Sequence, residues 1–234
     1  FPFAEEFSPP FLEVINMKLR LNGISKEKTE FINDIIKKYH FDEKDREELK
    51  NVYEELVAYM TPYAIYRINQ WVTGVRKIDE NQVALVAITL GKGPDELLDK
   101  YVNEGAVNRE YMVECMSNDI LLNLYQEFNQ NYGKIHRRYV SGYVFVGDEV
   151  PLTSIRDILL LLQENEADGM VIRANEYGVI TPSKSVLFYA LLSDNPKNAC
   201  GGICEGCSNI NCNQREKKDS IRLNYGFQRI FGIR

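Results

Sequence analysis

Histidine is almost missing from this chain of 234 residues, with only two, and so is cysteine outside one short window: a single Cys115 lies elsewhere. Cysteines scattered along the chain are therefore absent, and any metal-binding reading must rest on thiolates without a neighbouring imidazole. Long apolar runs are lacking too. No stretch reaches the length that crosses a bilayer, and the opening FPFAEEFSPPF has no charged region followed by an apolar one, so cytoplasm is the expected compartment and no membrane partner is expected. Positive charge is short, with 28 Lys and Arg against 34 Asp and Glu, a net charge of -6 and a pI near 5.2. That balance excludes a broad electrostatic grip on nucleic-acid phosphates. Glycine-rich nucleotide loops are missing as well, because Gly91-Lys92-Gly93-Pro94 is neither G-x-G-x-x-G nor a Walker loop. What remains is ordinary for a folded domain: 44% hydrophobic and 26% charged residues argue against disorder.

The cysteines that are present fall within thirteen residues, Cys200, Cys204, Cys207 and Cys212, spaced C-x3-C-x2-C-x4-C. Four thiolates on a flexible loop suit Zn²⁺ or an iron–sulfur cluster, and Gly201, Gly202 and Gly206 supply the flexibility. With four sulfur ligands and no nearby histidine, an iron–sulfur centre of the 4Fe-4S type is favoured, with zinc as the alternative. A pair of disulfides is the bland reading. Cys115 is expected to pack as a small buried hydrophobe. After the cysteines a basic tail follows, with Arg215, Lys217, Lys218, Arg222, Arg229 and Arg234; it is a solvated tail or a docking surface for an acidic partner.

The periodicity predicts an α+β fold: a mixed, largely antiparallel twisted sheet with flanking helices, a helical N-terminal region and a C-terminal cysteine-rich metal loop. Within one domain spanning 1–234, residues 1–82 read as helical, 83–199 as the α+β core and 200–234 as the metal loop and basic tail. Ser25 is the expected N-cap of a helix through Tyr39, and a second helix starts near Asp42 with acidic residues in its first turns, stopped by Thr61-Pro62. Val83 to Leu90 is an apolar, β-branched run ended by Gly91, hence a buried strand. A short helix follows from Asp95 to Val102, then a long one from Asn108 to Tyr132. Residues around Gly142 read as a strand, and Thr153 as the N-cap of an apolar helix. Two or three strands with a turn at Asn175 to Gly178 complete the core.

Four stretches together resemble the activation domain of cobalamin-dependent methionine synthase, in particular its stand-alone relatives: AITLGKGPDELL, an R-x-x-x-G-Y element made by Arg138, Gly142 and Tyr143, the helix DEVPLTSIRDILLLL, and ITPSKSV from Ile180 to Val186. The resemblance spans most of Val83 to Arg215. It implies binding of S-adenosylmethionine across a shallow groove and reductive methylation of a cobalamin presented in trans, by methionine synthase or another corrinoid protein. Cobalamin would come from the partner, since the chain has no D-x-H-x-x-G signature. The implied roles are Arg138 as partner of the methionyl carboxylate, Gly142 as a point of close backbone approach, and Tyr143 as a ring or hydroxyl against the ligand. Glu127, Asp119 and Tyr125 are further groups available to a sulfonium. Where longer relatives continue with a V-S-G turn and tyrosines, this chain reads VLFYALLSD and runs into the cysteines, whose cluster would deliver the electron in place of, or received from, a donor protein. Two other readings stand beside this one. A non-catalytic, zinc-stapled interaction module would explain the charges without chemistry. The C-x3-C-x2-C spacing also matches radical S-adenosylmethionine enzymes, yet it lies near the chain end with a fourth cysteine that would fill the iron position their substrate needs.

Overall fold

The computed structural model describes residues 17–68, 83–146, 150–163 and 172–206. Its frame is a five-stranded sheet in the order β1-β2-β3-β7-β4, built from β1 (Met17–Arg20), β2 (Tyr63–Ile68), β3 (Val83–Thr89), β7 (Ser185–Ser193) and β4 (Tyr139–Phe145). Every neighbouring pair of strands is antiparallel. A separate two-stranded ribbon joins β5 (Arg173–Ala174) to β6 (Ile180–Thr181). The α+β, antiparallel architecture is the one expected.

Four helices cover one face: α1 (Lys28–Tyr39), α2 (Arg46–Tyr59), α3 (Gly93–Asn103) and α4 (Val107–His136). Their apolar sides meet Ala64, Tyr66, Ala84, Val86, Ile88, Phe188 and Ala190 from alternate positions of the central strands. The other face carries Tyr63, Ile65, Leu85, Ala87, Leu187 and Tyr189 against α5 (Ile155–Gln163), whose Ile155, Ile158, Leu159 and Leu162 are buried. Because β3 lies between two covered faces, all seven of its residues are buried, which is why its sequence is apolar throughout rather than alternating.

Several boundaries depart from the sequence reading. The stretch read as helical also holds β1 and β2; β2 has five of six residues buried, so it shows no two-residue alternation to betray it. Ser25 does not cap α1, which starts at Lys28 behind Glu27 with no side-chain cap. Thr153 sits inside a 3-10 turn, Leu152–Ser154, that feeds α5 directly. The long helix runs a turn beyond Tyr132, to His136, since Gly133 makes no break there.

Candidate ligand and metal site on the β4 edge

Arg138 is placed by the end of α4. Arg137 takes the left-handed conformation (φ 53°) and its N–H returns to the Gly133 carbonyl, so the chain turns sharply from helix to strand within two residues. Arg137 is exposed, whereas the Arg138 side chain keeps only 23% of its surface in solvent. The Arg138 Nε donates to Asp194 Oδ1 at 2.9 Å, and among the described residues the rest of its fork has no hydrogen-bond partner. Its positive charge also acts on the end of α4. Burial and the Arg138 charge together lower the pKa of His136, whose Nε2 lies 2.9 Å from the Tyr66 hydroxyl. Burial pushes the phenol of Tyr132 well up, with Arg138 opposing it.

Three residues further on, a β-bulge shifts the pairing of β4 against β7: Val140 faces Leu192, but Gly142 already faces Leu191. The extra residue, Ser141, lets Val140 and Tyr143 both enter the four-helix core although three positions separate them. Tyr143 is 2% exposed. Its ring lies edge-on to Tyr125 (5.8 Å between centroids) and Phe188 (5.4 Å) and stacks near Phe145. Gly142 looks to the opposite side of the sheet. A Cβ added there would meet only Leu191 Cδ1 at 3.5 Å, an ordinary contact, and its φ is not in the left-handed region. Neither backbone conformation nor packing therefore demands a glycine at 142.

The structure also brings the start of the cysteine window to this strand, an adjacency that spacing in the sequence does not reveal. Cys200 N donates to Val140 O at 2.7 Å, continuing the sheet edge by one bond just before the bulge. Cys204 follows on α6 (Ile203–Gly206), with Cys200 and Ile203 packed against the main core. Among the described residues neither thiol is in a disulfide, and Cys200 Sγ lies 3.0 Å from Gly202 O. Cys207 and Cys212 lie outside the described residues, as does the basic tail. Among the described residues no group of three or more His, Cys, Asp or Glu stands ready to hold a metal, so the two placed thiols form half of the expected ligand set. Asn129 on α4 ties the parts together: its Nδ2 donates to Tyr143 Oη (2.6 Å) and to Cys200 O (3.3 Å). An asparagine on the stripe of Tyr125, Phe128 and Tyr132 was the one available signal for it in the sequence.

The three groups offered to a sulfonium are engaged elsewhere. Glu127 accepts from the backbone N–H of Asn22 and Gly23, pinning the loop after β1 to α4. Asp119 accepts from Lys38 Nζ and Tyr39 Oη, both at 2.7 Å, and Tyr125 is a core residue. Two of the four resemblance stretches meet at the far end of the sheet. There Ser183 N donates to Asp95 (2.8 Å), Leu90 N to Lys184 O (3.0 Å), and the nearly buried Lys184 ammonium to Glu114 (2.6 Å) and Asn118 (2.9 Å). Asp148 and Glu149 of the third stretch lie outside the described residues. A shallow concavity lined by Glu48 and Gly105 to Arg109 sits at the start of α4, the end remote from Arg138.

No protein-family model matches the chain, and no curated protein matches it. Among solved structures it is similar to the crystal structure of the MetH reactivation domain bound to AdoHcy, with a TM-score of 0.48 and 11% identity over 82% of this chain and 83% of that one.

Proposed function

We propose that this chain is a reductive activator of a corrinoid-dependent methyltransferase, with cobalamin-dependent methionine synthase as the favoured client, and that it binds S-adenosylmethionine along β4. The observation that carries the reading is the docking of Cys200, the first cysteine of the window, on the edge of β4 at Val140, between Arg138 and Gly142. Cys200 and an R-x-x-x-G-Y element that are distant in sequence thus meet on one strand. Reactivation chemistry asks for that pairing: one electron takes cob(II)alamin to cob(I)alamin, whose cobalt lone pair then takes the methyl group from the sulfonium, leaving S-adenosylhomocysteine. An iron–sulfur centre on Cys200, Cys204, Cys207 and Cys212 would supply the low-potential electron.

The chain's own residues have the positioning work. The fork of Arg138 has donors to spare for a two-pronged bond to the methionyl carboxylate. Its bond to Asp194 is no obstacle, because an ion pair to a carboxylate 84% exposed contributes about 1 kcal/mol or less. Gly142 is buried on β4, yet the fold does not require a glycine there, and its missing side chain would let a ligand come close to the backbone. Tyr143 contributes from inside the core, where its hydroxyl and Asn129 hold the Cys200 backbone in place.

A second reading is favoured by two facts, the full burial of the Tyr143 ring and the present pairing of Arg138: a zinc-stapled module that binds a partner protein and carries no chemistry. One set of measurements separates them. On the activator reading, anaerobically purified protein contains iron and sulfide, binds S-adenosylmethionine saturably by calorimetry, and with reductant converts a cob(II)alamin-loaded partner to the methylcobalamin spectrum. Zinc without iron, together with no heat of S-adenosylmethionine binding, establishes the module instead.

A further inference from the structure

Residues 128–147 hold no aspartate or glutamate, although the chain has 34 acidic residues. The same run contains Lys134, Arg137 and Arg138. The fold gathers these cations at one corner. The tight turn at Arg137 sets the start of β4 against the last turn of α4, so closely that a Cβ on Gly133 would stand 3.7 Å from Tyr139 Cδ1. Tyr139 pairs with Ser193 across the sheet, and Ser193 Oγ accepts from Asn195 N (3.2 Å) and Asn198 Nδ2 (3.0 Å). Those bonds bring the 3-10 turn Pro196–Asn198, with Lys197, to the same corner. Lys134, Arg137 and Lys197 are exposed, and among the described residues none of them pairs with a carboxylate. Asp194 lies here too, but it is bonded to Arg138 (2.9 Å). On the same last turn of α4, Ile135 is 53% exposed, a large apolar side chain left outside the core. One exposed isoleucine is ordinary. Next to unpaired cations and the half-buried Tyr139 ring, it has the make-up of a docking patch, apolar in part and charged around.

We infer that the corner made by the end of α4, the start of β4 and the turn Pro196–Asn198 is the docking patch for the corrinoid-bearing protein, and that the matching face of that protein is acidic. The inference rests on the proposed function and adds its partner-binding surface. Methyl transfer requires cobalt within bonding reach of a sulfonium bound beside Arg138. The corrin is carried by another protein, so that protein must rest on the surface around Arg138. Charge then selects the kind of face that fits. Three unpaired cations on a chain of net charge -6 do not make the broad basic surface that a nucleic-acid backbone needs. They do suit a local acidic patch on a folded partner, where opposite charge speeds encounter and fixes orientation while Ile135 enters an apolar seat.

The test follows binding of cob(II)alamin-loaded methionine synthase to the full chain by biolayer interferometry, at about 0.1 M and about 1 M salt, where charges are screened over about 10 Å and about 3 Å. Lys134→Glu, Arg137→Glu and Lys197→Glu are each expected to slow association by about fivefold at the lower salt and to have little effect at the higher. Lys92→Glu reverses an equally exposed cation at the far end of the sheet and should change the rate by less than about twofold. Ile135→Ser is expected to weaken binding by about fivefold at both salt concentrations, because apolar burial is not screened. Calorimetry should give Lys134→Glu and Lys197→Glu the same affinity for S-adenosylmethionine as the unaltered protein, which separates docking from donor binding. Unchanged association in the corner variants overturns the inference, as does equal slowing by Lys92→Glu. A dimer of the unaltered chain in sedimentation that is lost in Ile135→Ser would assign the patch to a second copy and overturn it too. If the chain binds S-adenosylmethionine but not the loaded enzyme, the inference falls and donor binding stands. If it binds neither, the functional reading fails and takes this inference with it.

Discussion

Cys115 and the cysteines of the C-terminal window share a side chain and differ in everything around it. Cys115 is 2% exposed on α4, and burial pushes its thiol up to about 11. Thiolate is the reactive form. At pH 8, iodoacetamide should therefore label Cys200 and Cys204 in metal-free native protein and leave Cys115 unmodified, as peptide mass spectrometry would read; early labelling of Cys115 would contradict its burial. His136 yields a pH dependence. Its pKa lies below the ordinary 6.5 in the folded state, because burial and Arg138 both disfavour the imidazolium. The unfolded chain thus takes up the proton first, so this contribution to stability is whole above about pH 6.5 and is lost as pH falls through the folded-state pKa. His136→Gln should show a smaller loss of urea stability than the unaltered protein between pH 7 and 5.5. An equal loss would mean that other groups govern the acid limb.

Elements place different demands on their glycines. At the start of α3 a Cβ on Gly93 would stand 2.0 Å from the Tyr59 carbonyl oxygen and 2.3 Å from its carbon, and backbone at the end of α2 cannot step aside. Gly93→Ala should cost about 3 kcal/mol of unfolding free energy. Gly142→Ala on β4 should change stability by no more than about 1 kcal/mol, since its new methyl would make only an ordinary contact with Leu191. The pair of variants is informative together. If Gly142 serves a ligand, its alanine variant keeps the melting temperature and loses S-adenosylmethionine affinity by about tenfold or more, a steric loss of about 1.4 kcal/mol; retained affinity would assign the glycine to chance.

At the scale of the molecule, one sheet and one four-helix-side core run through residues that lie on both sides of position 82. Tyr66 of β2 lies against Phe128 and Tyr132 of α4, at 5.5 and 5.6 Å between ring centroids, and β2 pairs with β3 along its length. Separating the chain after residue 82 would leave β2 and the apolar sides of α1 and α2 without their partners. The intact protein is therefore expected to unfold in urea in one transition, coincident by far-ultraviolet circular dichroism and tyrosine fluorescence. Fragments 1–82 and 83–234 expressed apart should show no cooperative transition; a folded 83–234 would mark the N-terminal part as an accessory.

Local chemistry written in the chain determined a good deal of this protein. Apolar period and turn residues identify α1 to α5, β3 and the strand around Gly142, because each of these signals acts over a few neighbouring residues. The cysteine spacing likewise announces a candidate metal loop whatever surrounds it. Tertiary structure alone decided the rest. Strand β2, buried on both faces, carries no alternation to be read. Glu127 and Asp119 are consumed by the backbone at Asn22 and Gly23 and by Lys38 and Tyr39, partners about a hundred and about eighty residues away. Above all, the seating of Cys200 on β4 and its link through Asn129 to Tyr143 join residues that have no local relation. Spacing encodes what one element can do by itself, whereas contacts between elements depend on how the sheet is ordered, and that order is settled by the packing of the whole core.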